Sequence, residues 1–405
     1  MIRKMVSGNQ YELKLRTEAR DSRQPTHAEW VEDEGCRRTY YAVYIFFGML
    51  TLTYNHTPAI SFTEFETLEL PSSESLWNLE VIDEDSWRER LSASANVTVR
   101  IAYDHLFQGE VVKYSAFATR VMINALFLEV WLQKRNFDAL QDIVAEYRLR
   151  RAMDTWRECL EICEPETILV QLQTPHKGHP LIFNSLAVHR NTRARLAVDL
   201  KPVQEALRYH DAFEVNGAMS NARESVKRSQ EMLLVIEECY NCIELVVLEG
   251  IMIGKTAATN WSVEHALCGF DLMLILSLWL YRLEHDEEQA TEDELAMYNK
   301  VRNLFDDEGM DSYTTKLSSI VAKSWGNLLG DVVVWGYVSH TVRFSDLMLT
   351  VYRITKLMGE SFQLHAQSLS GYEDAVAPET AGSTPTMSSR DVDLDMATTF
   401  HAIET

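Results

Sequence analysis

The sequence predicts an all-α protein: an irregular multi-helix domain followed by a disordered acidic C-terminal tail. Three observations carry this prediction. Only 16 Gly and 9 Pro occur in 405 residues, too few turn-formers for an all-β chain. Apolar residues recur every three to four positions over long stretches, which is the period of a helix face. Ser, Thr and Asp stand repeatedly just ahead of those stretches, where N-caps belong.

Taken in order, residues 1–35 are polar, mixed in charge and without a clear period, and read as a loose N-terminal segment. From Arg37 a helix begins, with Tyr40, Tyr44, Phe47 and Leu50 on one face and Tyr41, Val43 and Phe46 widening it. Asn55 and Pro58 end it. Ser61-Phe62-Thr63-Glu64 has the spacing of a capping box. Pro71-Ser72-Ser73-Glu74 opens a short helix carrying Leu76 and Trp77, and Asp83 to Ser86 introduces Trp87 in the same way. Phe117, Val121, Leu128 and Leu132 share a helical face. A further helix runs from Asp138 to Cys163 on Leu140, Val144, Tyr147, Met153, Trp156 and Leu160. A proline-bearing connector spans 164–180. Helices are predicted over 184–213, 218–249, 263–285, about 316–335 and 341–366. Residues 284–311 hold 11 acids against Lys300 and Arg302, and read mostly as solvated surface or loop. The division is therefore a loose segment at 1–35, a helical domain at 36–366 and a disordered tail at 367–405.

Charge narrows function. Sixty acidic residues against 38 basic ones give a formal charge of −22, and a surface of that sign repels nucleic acid as a whole. The opening residues lack the apolar core of a signal peptide. The longest uncharged apolar run, Leu272 to Tyr281, is well short of the ~20 residues of a membrane span. The expectation is a soluble intracellular chain whose six cysteines are reduced.

No motif here assembles an active site. Gly250 to Thr256 approaches a phosphate-binding loop but has three residues between its glycines where four are needed, and Gly250 reads better as a helix C-cap. Cys239 with Cys242, and Cys159 with Cys163, offer four thiols, yet both pairs lie in helical stretches rather than on the tight turns of zinc sites. His176 and His179 lack a nearby carboxylate or thiol. Asp306, Asp307, Glu308 and Asp311 suggest a magnesium-holding cluster, so an all-α magnesium-dependent prenyl-diphosphate enzyme stands as the alternative reading. In the tail, Asp391-Val392-Asp393-Leu394-Asp395-Met396 alternates acid with apolar side chains, and Phe400 follows. Acid keeps such anchors solvated until a partner groove takes them; a plain solubilising tail is the competing reading. The candidate anchors are Val392, Leu394, Met396 and Phe400.

Several stretches resemble one family in order. They are Arg37-Arg38-Thr39-Tyr40-Tyr41-Ala42; Asn55 to Ser61, with Pro58 and Ile60; Leu68-Glu69-Leu70-Pro71; and Glu74-Ser75-Leu76-Trp77. Trp261 to Cys268, with His265, and Val333-Val334-Trp335-Gly336 follow. Together they resemble the regulatory domain of fungal zinc-finger transcription regulators, over roughly 30–365, and are most similar to the subset that carries a pair of Cys2His2 fingers. Where Tyr40 and Tyr41 stand, the family often has Trp. The resemblance implies regulation of RNA polymerase II transcription in the nucleus, by partner binding and without catalysis. It implies as partners transcription co-regulators, a small-molecule effector or a second copy of the chain. The family's zinc-based DNA-binding module has no counterpart in this sequence, which has neither Cys2His2 finger spacing nor a six-cysteine cluster. Zinc and DNA contact are therefore expected only through an upstream module, and no cofactor is expected in this chain. A natural short form and a truncated gene product both fit.

Overall fold

The computed structural model describes residues 2–21, 23–77, 84–94, 97–135, 139–163, 180–249, 263–307, 316–330 and 346–370. Among these residues the architecture is helical throughout. The helices are α1 Ile2–Ala19, α2 His27–Tyr54, α3 Glu74–Trp77, α4 Glu84–Ala93, α5 Val99–Gln108, α6 Ala116–Gln133, α7 Ala139–Ile162 and α8 Pro180–Ala197. They continue with α9 Lys201–Ala206, α10 Ala212–Asn221, α11 Gln230–Glu249, α12 Val263–His285, α13 Glu292–Asp307, α14 Leu317–Gly330 and α15 Asp346–Leu369. The one extended pairing among the described residues is an isolated antiparallel bridge between Glu69 and Thr98.

Two helices form the centre. In α12 the side chains from Leu272 to Leu280 are all buried, with Ser277 among them. It packs on α8, α11 and α14. Over Glu264–His285 it is long and apolar enough to cross a membrane, at a mean hydropathy of 1.6, but 83% of its most apolar window is buried inside the fold. That is the setting of a core helix. Helix α6 is likewise covered on almost every side, by α8, α7 and α2. The single predicted face through Phe117 and Leu132 is therefore too narrow a description.

Helices α14 and α15 approach backbone to backbone. A methyl group at Gly326 would stand 3.1 Å from the Gly359 carbonyl oxygen, and one at Gly359 3.2 Å from that of Gly326. Such contacts are tighter than most Cβ atoms make, which favours glycine at both positions. A satellite aromatic cluster of Trp30, Leu76 and Trp87 fastens α3 and α4 to the start of α2, with Trp30 and Trp87 edge to face at 5.6 Å.

The N-terminal expectation needs correction. Residues 1–35 are not a loose segment: α1 lies along α2, and position 35 falls inside α2. Helix α1 escapes a periodicity search because its buried anchors are few, Val6 and Leu13. Ion pairs do much of the fastening, with Arg16 on Glu32 at 3.0 Å, Arg20 on Asp33, and Arg3 on Glu64 at 3.1 Å. Helix α2 starts ten residues before Arg37, at a capping box formed by Thr26 and Glu29. It ends as predicted, at Asn55, whose φ of 52° is left-handed.

The acidic stretch 284–311 also departs from expectation. Most of it is α13, which buries Val301, Leu304 and Phe305. Glu294 is buried as well and takes the Arg228 guanidinium at 2.7 Å. The predicted helices over 184–213 and 218–249 are broken into shorter pieces. Pro202 opens α9, and the Asp211 side chain caps α10 by accepting from the Phe213 N–H at 2.8 Å. On α7, Val144 and Tyr147 are exposed, while Leu149, Met153, Trp156 and Leu160 enter the core. The tail 371–405, the connector 164–179 and the Gly250–Thr256 motif lie outside the described residues.

Candidate functional site

The signature residues on α2 build a buried ionic junction. Glu34 is fully buried and accepts three hydrogen bonds: from Arg37 Nε at 3.0 Å, Arg38 Nε at 2.9 Å and the Ser72 N–H at 2.9 Å. Arg38 also donates to the Ser72 carbonyl at 2.5 Å, and its guanidinium lies 4.7 Å from the Trp77 ring centroid. Arg37 reaches Glu69 at 3.1 Å. The Pro71 carbonyl accepts from Ser115 Oγ at 2.7 Å, and Trp77 Nε1 donates to the Val31 carbonyl at 3.4 Å. Thus Arg37, Arg38, Pro71 and Trp77 meet, tying the segment after α2 back onto it. Tyr40 and Ile60 are buried nearby. Thr39 faces outward with its hydroxyl on the Gly35 carbonyl, and Pro58 is half-buried. His265 stands elsewhere, on α12, stacked 4.1 Å from Phe183. Trp261, Trp335, Val392, Leu394, Met396 and Phe400 lie outside the described residues.

The other end of α2 draws in three arginines. Arg195 donates to the Leu52 carbonyl at 2.6 Å, Arg208 to that of Tyr54 at 2.6 Å, and Arg135 to that of Asn55 at 3.1 Å. The last carbonyls of a helix have no partner within it and carry a partial negative charge, so guanidinium donors suit them. Arg195 is further held by buried Asp271 on α12, which it reaches at 2.7 Å and which also accepts from Asn191 Nδ2 at 2.9 Å. Arg135 lies over the Trp131 ring at 3.6 Å, while Trp131 Nε1 donates to Asn55 Oδ1 at 2.6 Å. Burial pulls the Arg135 pKa below the ordinary arginine value against the attraction of Glu205, and the neighbouring Arg208 adds to the fall. His56 is lowered for the same two reasons. Beside this cluster a cleft of about 40 Å³ opens between the end of α6 and the α8–α9 turn.

Sequence reasoning missed the charged residues that join the elements: Glu34, the buried pair of Arg120 on α6 with Glu264 on α12, Asp271, and the pair of Arg228 with Glu294. For Arg120, Glu264 and Asp271 the signal was present as an ionisable residue inside a largely apolar helical run, where burial without a partner is too costly, whereas Glu34, Arg228 and Glu294 stand among other charged residues.

The metal candidates do not gather. Cys159 and Cys163 are buried at the end of α7, and Cys239 and Cys242 sit on α11, with burial raising the thiol pKa of Cys159, Cys239 and Cys242. Asp306 and Asp307 end α13, and Glu308 and Asp311 lie outside the described residues, as do His176 and His179. Among the described residues no three His, Cys, Asp or Glu side chains stand close enough to share a metal.

Residues 199–364 match the family model of the fungal transcription factor C-terminal domain. No curated protein and no solved structure matches the chain. The matched segment runs from the turn before α9 into α15. The signature helix α2 packs onto it through α9 and α12, and Asp271 and Arg208 belong to it.

Proposed function

We propose that this chain, which carries a fungal transcription factor C-terminal domain over residues 199–364, is the regulatory part of a zinc-finger-type regulator of RNA polymerase II transcription. The family match supports transcription regulation, and a non-enzymatic role is in keeping with it. The finer reading is that the chain works in the nucleus by holding co-regulators, with DNA contact and zinc supplied by a separate module. One observation supports it most: the Arg-Arg-Thr helix, outside the matched segment, is locked to that segment by buried ionic contacts. Arg195 on α8 bridges Asp271 of the segment and the Leu52 carbonyl of α2, and Arg208 of the segment donates to the Tyr54 carbonyl. The resemblance read from residues 37–77 and the match over 199–364 therefore describe parts that pack together.

The acidic tail is the proposed recruiting segment. Joined to a neutral DNA-binding module, residues 368–405 should raise reporter output, and replacing Leu394 and Phe400 by Ala should remove the gain, because buried apolar anchors carry groove binding. Output no higher than the module alone refutes recruitment by the tail.

A further inference from the structure

We infer that the cleft at the C-terminal end of α2 is a binding site for a small carboxylate with a short apolar body. Its lining places Lys134, Arg135 and Lys201 around an apolar floor of Trp131, Val198 and Leu200. In a chain of charge −22 such a concentration of cations runs against the overall field.

The acids at hand each have a partner, and Glu205, which accepts from Asn55 Nδ2 at 3.4 Å, also attracts Arg135. Asp199, the carboxylate of the lining, accepts from the main-chain N–H of Lys201 at 3.0 Å. Asp271 is engaged with Arg195 and Asn191. Arg135 and Arg208 give hydrogen bonds to main-chain carbonyls, which carry only a fraction of a charge. Lys134, Arg135, Arg195 and Lys201 line the cleft against the carboxylate of Asp199, with Glu205 beside it, so the positive charge is only partly offset. An anion entering the cleft would relieve it.

Size sets the ligand class. About 40 Å³ is room for roughly three water-sized groups, enough for the three heavy atoms of a carboxylate head, with the carbons of a short chain lying along the open mouth. Val198 and Leu200 suit an apolar chain, and the Arg135 fork suits a planar carboxylate better than a point-charge ammonium would. The site touches the α2 C-terminus, α6 and the turn into α9, so occupancy would couple the signature helix to the family-matched segment. Only that consequence rests on the regulatory reading; the binding itself does not.

The test uses the purified full chain with ¹⁵N-labelled tryptophan indoles, the Trp131 signal being assigned from Trp131→Phe. Butyrate and its neutral, equal-sized amide, butyramide, are titrated at constant ionic strength. Butyrate should shift the Trp131 indole saturably while butyramide does not. Arg135→Gln, and separately the exposed pair Lys134→Gln with Lys201→Gln, should each weaken the response tenfold or more. The second variant leaves every α2 cap in place, so loss of folding cannot explain its effect. No shift at Trp131, equal shifts with butyrate and butyramide, or undiminished response in both variants overturns the proposal. Failure here leaves the tail-recruitment test untouched, and a failed reporter test with intact butyrate binding would leave a ligand site without the proposed transcriptional role.

Discussion

Replacing Glu34 by Ala probes the junction on which the signature residues converge. The carboxylate is 0% exposed, and Arg37 and Arg38 are each 8% exposed. Three hydrogen bonds disappear, those from the two Nε–H groups and from Ser72 N–H. Charge-assisted bonds contribute roughly 1.5–3 kcal/mol each, so the gross loss exceeds 4 kcal/mol. Arg37 keeps Glu69 at 3.1 Å and Arg38 keeps the Ser72 carbonyl, which limits the net effect. Removing one member of a buried ion pair typically costs about 3–5 kcal/mol, a large share of a total stability of about 5–15 kcal/mol. Urea unfolding followed by tryptophan fluorescence and far-UV circular dichroism would read this as a lower midpoint. The double replacement of Glu34 and Arg38 by Met should be the milder change by at least about 1 kcal/mol, since it removes the charge stranded by the single substitution. A loss below about 1 kcal/mol for Glu34→Ala, or a double variant weaker than the single, would refute the reasoning.

Three further predictions follow from buried groups. His189 and His365 are held neutral, each pushed down to about 3 by burial. The unfolded chain, with histidines near the usual value of about 6.5, binds more protons below that pH, so stability should fall as pH drops from about 6.5 toward 3. Glu294, lowered chiefly by its hydrogen bond with Arg228, contributes stability above the ordinary glutamate range that is lost as pH falls through its depressed value. His189→Phe should flatten the acid limb of a stability–pH profile starting near pH 6.5, and Glu294→Gln should flatten it only at lower pH. Gly269→Ala should destabilise by about 1–3 kcal/mol, because the new methyl collides with the buried ring of Trp325; Gly35→Ala, which meets nothing within 4 Å, should gain about 0.5–1 kcal/mol of helix stability, as thermal unfolding would show. Cys239 and Cys268, buried with thiol pKa values raised mainly by that burial, should resist iodoacetamide in the native state while half-buried Cys36 reacts first; mass mapping of labelled peptides checks the order.

The helical class was readable because scarce Gly and Pro and the apolar period act locally, residue by residue. So was the stop at Asn55, where a left-handed residue ends α2. What escaped depends on contacts distant in sequence. Helix α1 is tied down in part by Arg3, Arg16 and Arg20 reaching acids on other elements, and no period advertises that. The acid-rich 284–311 stretch looked solvated because charge was counted without knowing that Arg228, some 66 residues away, neutralises Glu294. The Thr26-x-x-Glu29 capping box was open to the same rule that located Ser61-x-x-Glu64, and was hidden only by the polar sequence around it. For the candidate site, the signature residues were visible as a pattern. Their physical role was not, since the centre of the junction, Glu34, lies three residues ahead of the pattern. The arginines at the far end of α2 come from three separate stretches of the chain and share no motif at all.

The central claim is that this helical body regulates transcription through what it binds. The most direct measurement is reporter output from the full chain tethered to a neutral DNA-binding module, compared with the module alone and with the Glu34→Ala chain at matched abundance. The account predicts that the intact chain shifts output and that disrupting the α2 junction diminishes the shift. Output indistinguishable from the module alone would contradict it.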